Sequence, residues 1–241
     1  SVVVADLEPA REPIRAAQAE WAARVREAAR DAGERIESLL DSGSGHTMLD
    51  LARIVAASTS GPLVLGASNP VRAFDLAVPS LEGRVVHSNR GQAGIDGTIA
   101  TAVGICLGSG YTDEASAASD ERVTAVMGDL TACHDASSLA LAASTGAHLD
   151  IVVADDHGGG IFATLEHGRA TSPEAYDRWF GLAQSVDYEA LAAAYGVAFA
   201  RAGEPRELED LLDLPVRGPR LIHAPVERAE DLYRAIRDVL S

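Results

Sequence analysis

The sequence predicts an α/β fold in which a parallel sheet is covered by helices on both faces. Three observations carry that expectation. Short, uninterrupted apolar runs recur at 63–65, 85–87, 123–127, 149–154, 197–200 and 221–223, as expected of strands buried on both sides. Stretches with helical character lie between them, near 46–58, 97–108, 134–145, 187–195, 205–213 and 228–240. The alternation begins only after Gly45, and what precedes it has a different pattern.

In chain order, residues 12–40 read as one long helix rich in alanine, arginine and glutamate, with Ile14, Ala17, Trp21, Val25 and Ala28 recurring at helical spacing. The stretch from Asp41 to Gly45 is a linker or tight loop. Strands and helices then alternate to the C-terminus, broken by residues 166–186. That segment is polar, aromatic and irregular, with Pro173, Tyr176, Trp179 and Phe180, and reads as a lid or a subunit-contact loop. No internal repeat is present.

At 241 residues the chain suits one large domain, or one domain with an appendage. Its formal net charge of −16 argues against a nucleic-acid surface. All 20 basic residues other than histidine are arginines. A Schiff-base lysine and a Walker-type phosphate loop are therefore excluded within these residues. An anionic ligand must meet arginine, a helix N-terminus or a metal. Cys106 and Cys133 lie in apolar segments and read as buried free thiols of a reducing cytoplasm. No apolar run approaches the length of a membrane span, and the start does not read as a signal peptide. His46, His148, His167 and His223 share no zinc-like spacing.

The strongest chemical signal is a pair of strand ends. The run 123–127 leads into Gly128-Asp129-Leu130-Thr131, and the run 149–154 leads into Asp155-Asp156-His157-Gly158-Gly159-Gly160. One strand–helix–strand crossover places both ends on the same sheet edge, where open α/β folds bind ligands. Asp129, Asp156 and the Gly158 carbonyl are hard oxygen donors of the kind that suits magnesium. Glycines 158–160 let the backbone approach a phosphate closely. His134 and His157 flank these positions, each a proton carrier or a polar edge residue, and His157 is given no catalytic role.

A Gly-Asp followed some thirty residues later by an Asn-containing turn resembles the metal motif of the thiamine-diphosphate enzymes. Here that turn carries Asp155-Asp156 where many members have Asn-Asn. The segment from His87 to Gly97, HSNRGQAGIDG, is similar to the SNRG…GIDG segment of the SEPHCHC (2-succinyl-5-enolpyruvyl-6-hydroxy-3-cyclohexene-1-carboxylate) synthases. Asp156 to Phe162, DHGGGIF, resembles their GG-x-IF segment, and Gly66 to Arg72, GASNPVR, occupies the matching first strand end.

The resemblance implies a three-layer α/β/α thiamine-diphosphate-binding fold with a mainly parallel six-stranded sheet. Residues 1–44 would be the C-terminal helix and linker of a preceding central domain, and 45–241 the diphosphate-binding domain. It implies that Asp129, Asp156 and Gly158 hold magnesium, with manganese as a substitute. Leu130 and Thr131 would meet the diphosphate, and Ser68 and Gly94 would also border the cofactor. Ile95 would be the apolar wedge that bends it; on residue type alone Ile95 also suits a core position. Arg72 and Arg90 would hold the carboxylates of 2-oxoglutarate and isochorismate, helped by Ser68. Ile161, Phe162 and Leu165 would form an apolar wall, or equally the core face of a short helix.

The activity so implied is decarboxylation of 2-oxoglutarate and addition of the succinyl-semialdehyde unit to isochorismate, for menaquinone biosynthesis in the cytoplasm. A pyrimidine-binding domain and its glutamate are not recognisable here, so they are expected from another region or chain. A homo-oligomer, dimer or tetramer, is expected, with no activity from these residues alone. Two rivals stand beside this reading: another thiamine-diphosphate enzyme of the acetolactate synthase or 2-oxoacid decarboxylase type, and a non-catalytic diphosphate-binding module.

Overall fold

The computed structural model describes residues 16–43, 45–112, 122–215 and 217–240. It begins with helices α1 (Ala16–Asp41) and α2 (Met48–Ser58), followed by β1 (Leu63–Leu65), α3 (Asn69–Ala77), β2 (Val86–His87) and α4 (Thr98–Ser109). Next come β3 (Val123–Gly128), α5 (Asp129–His134), α6 (Ser138–Thr145) and β4 (Leu149–Asp155). A 3-10 turn (Gly160–Thr164), two short helices α7 (Glu166–Ala170) and α8 (Pro173–Tyr176) and a π turn (Asp177–Gly181) lead to α9 (Tyr188–Tyr195). The chain ends in β5 (Ala198–Arg201), α10 (Pro205–Asp213), β6 (Arg220–Pro225) and α11 (Glu230–Leu240).

The six strands form one sheet in the order β2-β1-β3-β4-β6-β5, and every neighbouring pair is parallel. Each of the six apolar runs supplies a strand. Along β3 and β4 successive side chains enter opposite layers, as a period of two requires. Val126, Val152 and Ala154 pack with Leu49, Val55 and Phe74 on one side. Ala125, Met127, Ile151 and Val153 pack with Ile99, Val103 and Leu139 on the other. This is the expected three-layer architecture. The strand order reverses between β1 and β3, so loops leaving their carboxyl ends diverge and open a crevice.

Several local readings change. The expected helix at 134–145 begins instead at the end of β3 and breaks at Asp135, giving α5 and α6. Helix α3 was not read from the sequence; Pro70 in its first turn presets the backbone for it. Residues 166–186 are mostly short helical turns rather than irregular loop. The predicted start of the first helix, with Ile14, lies outside the described residues. Trp21 and Val25 of α1 are exposed, and its buried apolar side chains are Ile36 and Leu40 near its C-terminal end.

Candidate functional site

A cavity of about 120 Å³ opens at the carboxyl ends of β1, β3 and β4, bordered among others by Ser68, Ile95, Asp129, Asp156, Gly158 and Phe162. Leu130, Thr131 and Ile161 also border it. Asp129 is 1 % exposed. Its Oδ1 accepts the Leu130 amide at 2.8 Å, while Oδ2 is buried with no hydrogen-bond partner among the described residues. A buried carboxylate oxygen without a partner is costly and is what a cation ligand looks like before its cation is considered. Burial pushes the Asp129 carboxyl up to about 6; the Asp155 charge adds to this, and the Leu130 and Gly158 amides oppose it.

Asp156 faces the same cavity. Burial and then the Asp129 charge push its carboxyl up to about 7, with Arg228 opposing. Two crowded carboxyls that resist ionisation in isolation are well matched to a divalent cation. The adjoining loop is shaped by missing side chains. A Cβ on Gly160 would strike the Asp156 carboxylate, on Gly158 the Gly181 carbonyl oxygen, and on Gly159 the Phe180 carbonyl oxygen. The segment 173–181 lies directly over this loop: the Gly159 amide donates to the Gly181 oxygen at 2.6 Å and the Tyr176 hydroxyl to the Gly159 oxygen at 3.0 Å.

The orphaned oxygen, the paired carboxyls and the glycine backbone fit a magnesium ion and a diphosphate. Among the described residues no group of three or more His, Cys, Asp or Glu is arranged to hold a metal ion, so phosphate and water oxygens would complete an octahedron here.

Asp155 and Asp156 have separate tasks. Asp155 Oδ2 lies 2.9 Å from His223 Nε2 and its Oδ1 accepts the His157 amide at 3.0 Å. Burial alone would raise the Asp155 carboxyl, but these partners bring it below the usual range. Its charge is therefore used in fixing the turn. The His223 and Tyr188 rings pack at a tilt with centroids 4.6 Å apart, so β4, β6 and α9 meet at this turn.

Ile95 precedes α4, whose first amides are held from another element. Asp135 Oδ2 accepts Ile99 N at 2.6 Å and Ala100 N at 3.1 Å, while its Oδ1 accepts the Ser138 hydroxyl at 2.6 Å. Asp135 thus ties α4, which follows Ile95, to the helix carrying Asp129. The sequence does not single it out, because the amides it accepts lie 36 and 35 residues away.

The structure gathers Ser68, Ile95, Asp129, Leu130, Thr131, Asp156, Gly158, Ile161 and Phe162 around one cavity, together with Asn69 and Pro70, which were not singled out. Ser68 adopts φ 78, a left-handed region unusual for a residue with a side chain. Arg72, Arg90 and Leu165 are exposed and are not among the residues bordering the cavity, and neither is Gly94. Arg72 Nη1 instead donates to the Ser68 carbonyl at 2.6 Å.

Comparison with known proteins agrees with this geometry. Residues 72–224 match the family model "Thiamine pyrophosphate enzyme, C-terminal TPP binding domain". The chain is 39 % identical over 226 residues to a 2-succinyl-5-enolpyruvyl-6-hydroxy-3-cyclohexene-1-carboxylate synthase from Nocardioides sp., covering 90 % of this chain and 41 % of the relative. It is 40 % identical over 228 residues to the protein of that name from Mycobacterium avium, covering 91 % and 40 %. The chain thus spans about two fifths of the length of these curated relatives. Among solved structures, benzoylformate decarboxylase from Polynucleobacter necessarius superposes with a TM-score of 0.61 at 19 % identity, over 75 % of this chain and 33 % of that one. A thiamine diphosphate-dependent 4-hydroxybenzoylformate decarboxylase from Rhodococcus jostii gives 0.60 at 19 %, over 78 % and 34 %; at this identity the likeness concerns the fold. With the match over most of the sheet and a cavity at its carboxyl edge, the chain belongs to the thiamine pyrophosphate enzymes and carries their C-terminal TPP-binding domain.

Proposed function

We propose that this chain is the diphosphate- and metal-holding portion of a SEPHCHC synthase, a transferase that decarboxylates 2-oxoglutarate and adds the succinyl-semialdehyde unit to isochorismate in menaquinone biosynthesis. The observation that carries the cofactor half of this reading is the buried, unpartnered Asp129 Oδ2 beside Asp156 in one cavity. The substrate half is supported by relatives of that name at about 40 % identity.

In this reading Asp129, Asp156 and the Gly158 backbone hold magnesium or manganese on the diphosphate, and Leu130 and Thr131 border its phosphates. Bound thiamine diphosphate supplies an electron sink for decarboxylation. The protein's part is to position and desolvate. Ile95 is branched at Cβ and so has little χ1 freedom, which suits a wedge. Ile161 and Phe162 offer an apolar wall, and Phe162 is braced by Phe180 with ring centroids 5.6 Å apart. Arg72 and Arg90 are assigned to substrate carboxylates, since a guanidinium fork pairs them bidentately.

The same reading assigns residues 1–44 to the end of a preceding central domain and 45–241 to the diphosphate-binding domain. The aminopyrimidine would be met by another region or another chain of a homo-oligomer in the cytoplasm. No described helix is long and apolar enough to cross a membrane. One observation favours the rival reading, an acetolactate synthase or 2-oxoacid decarboxylase: Arg72 and Arg90 do not border the cavity.

The complete enzyme decides between them. With magnesium and thiamine diphosphate it should convert 2-oxoglutarate and isochorismate, whereas the 241-residue chain alone should not. Arg72→Ala and Arg90→Ala should each raise the Michaelis constant for a substrate about ten- to a hundredfold, as loss of a charged hydrogen bond does, with cofactor affinity kept. Normal substrate use by both variants, or pyruvate as the preferred donor, would replace the SEPHCHC synthase reading with its rival.

A further inference from the structure

The segment from Arg228 to Arg237 touches the cofactor loop at points that none of the roles above uses. Arg228 donates through Nε to the Asp156 carbonyl oxygen at 3.0 Å and through Nη2 to the His157 carbonyl oxygen at 2.8 Å. In the last turn of α11, Arg237 Nη2 donates to the Thr164 oxygen at 3.1 Å, where the 3-10 turn ends. Between them, Tyr233 places its hydroxyl where it is buried without a hydrogen-bond partner among the described residues. A small crevice there is lined by Tyr233, Asn69, Asp156, Gly160 and Arg228 among others.

The loop needs an external hold. His157 has φ 60 and Gly158 φ 123, two successive left-handed residues of which the first carries a side chain. Such a conformation persists only when its surroundings over-determine it. Asp155 grips the His157 amide from one side. The Arg228 fork grips the carbonyls of Asp156 and His157 from the other, fixing two consecutive peptide planes with one rigid group. Those planes set where the Asp156 carboxylate and the Gly158 backbone point.

We infer that Arg228 is a positioning residue that clamps the Asp156–Gly158 turn in the pose that receives metal and diphosphate. The inference rests on the cofactor half of the reading above.

The test is Mn2+ titration, followed by electron paramagnetic resonance, of the complete enzyme saturated with thiamine diphosphate, alongside thermal unfolding without ligands. Arg228→Gln should weaken Mn2+ binding roughly ten- to a hundredfold, the usual effect of losing an outer partner of a metal site. The ligand-free unfolding temperature should stay where it was. Arg228→Lys should recover only part of the loss, because one ammonium cannot span two carbonyls. Arg228→Gln that binds Mn2+ as tightly as the parent overturns the clamp. If Arg228→Gln does not fold, Arg228→Lys decides, and parental affinity in that variant overturns it equally. A parent enzyme that binds no Mn2+ in the presence of thiamine diphosphate overturns the cofactor reading itself, and the clamp with it.

Discussion

Aspartates are buried at both edges of the central sheet, and the two edges treat them oppositely. At the amino edge, Asp150 near the start of β4 is held by two guanidinium forks. Arg122 reaches it through Nε and Nη2 at 3.0 Å each, and Arg220 through Nε at 2.9 Å and Nη2 at 3.0 Å. Arg122 also donates to the Gly218 carbonyl at 2.9 Å. All three side chains are nearly inaccessible to water. At the carboxyl edge, Asp129 at the end of β3 keeps one buried oxygen with no partner among the described residues, and Asp156 crowds it. One edge pairs its buried carboxylate with two guanidinium groups; the other leaves a buried carboxylate oxygen unpartnered beside a second carboxyl. The contrast separates a carboxylate that serves the fold from carboxylates to which the proposed function assigns a cation.

The comparison can be broken most sharply at the amino edge. Asp150→Ala would leave two buried guanidinium groups facing one another. Removing one partner of a buried ion network costs about 3–5 kcal/mol. Denaturant unfolding should register a loss of that size, while any protein that remains folded keeps its metal affinity. A loss under 1 kcal/mol would mean that water already reaches the triad.

At the carboxyl edge the sign reverses. The Asp129 carboxyl in the fold is raised to about 6, above its ordinary value near 4. Folding therefore favours the protonated form. The associated stability is full below about pH 4 and is lost as pH rises through about 6. Asp129→Asn removes that penalty. The ligand-free protein should gain roughly 2–3 kcal/mol at pH 8 and almost nothing at pH 4. Magnesium-dependent cofactor binding should disappear in Asp129→Ala, which supplies no oxygen donor. A destabilised Asp129→Asn at pH 8 would show that the orphaned oxygen has a partner after all.

These two edges were not equally legible in the sequence. The six strands could be read because strands buried on both faces are written as continuous apolar runs, as in 149–154. Asp129 and Asp156 could be read because each lies two residues beyond such a run and near glycine, Gly128 for the first and Gly158 to Gly160 for the second. The triad could not: Arg122, Asp150 and Arg220 are separated by 28 and 70 residues and meet only once strand order is known. The partnership of Asp155 with His223 was hidden for the same reason. Helix α3 was masked by a motif that read as a strand end. The directions of Arg72 and Arg90 depend on side-chain torsions, which sequence spacing does not encode, and the expectation that both line the cleft was made without that information.

The finest test of the contrast uses Asp156, where the two neighbouring aspartates can be told apart by charge alone. Asp155 has His223 and the His157 amide as partners, and its carboxyl lies below the usual range. The Asp156 carboxyl has been pushed up to about 7, so near neutrality it must give up a proton before it can ligate a cation. Metal affinity of the complete enzyme should therefore climb with pH up to about 7. Asp156→Asn keeps an oxygen ligand and has no proton to lose, so cofactor binding should survive with an affinity change of about severalfold. The climb should then end nearer 6, where Asp129 alone governs it. The diphosphate's own titration is common to both proteins and cancels in the difference. Calorimetric titration of magnesium between about pH 5.5 and pH 8 reads the two midpoints, a range set by the proton linkage of metal binding. An unmoved midpoint would place Asp156 outside the set of carboxylates to which the proposed function assigns the cation and leave Asp129 as the only one at that edge.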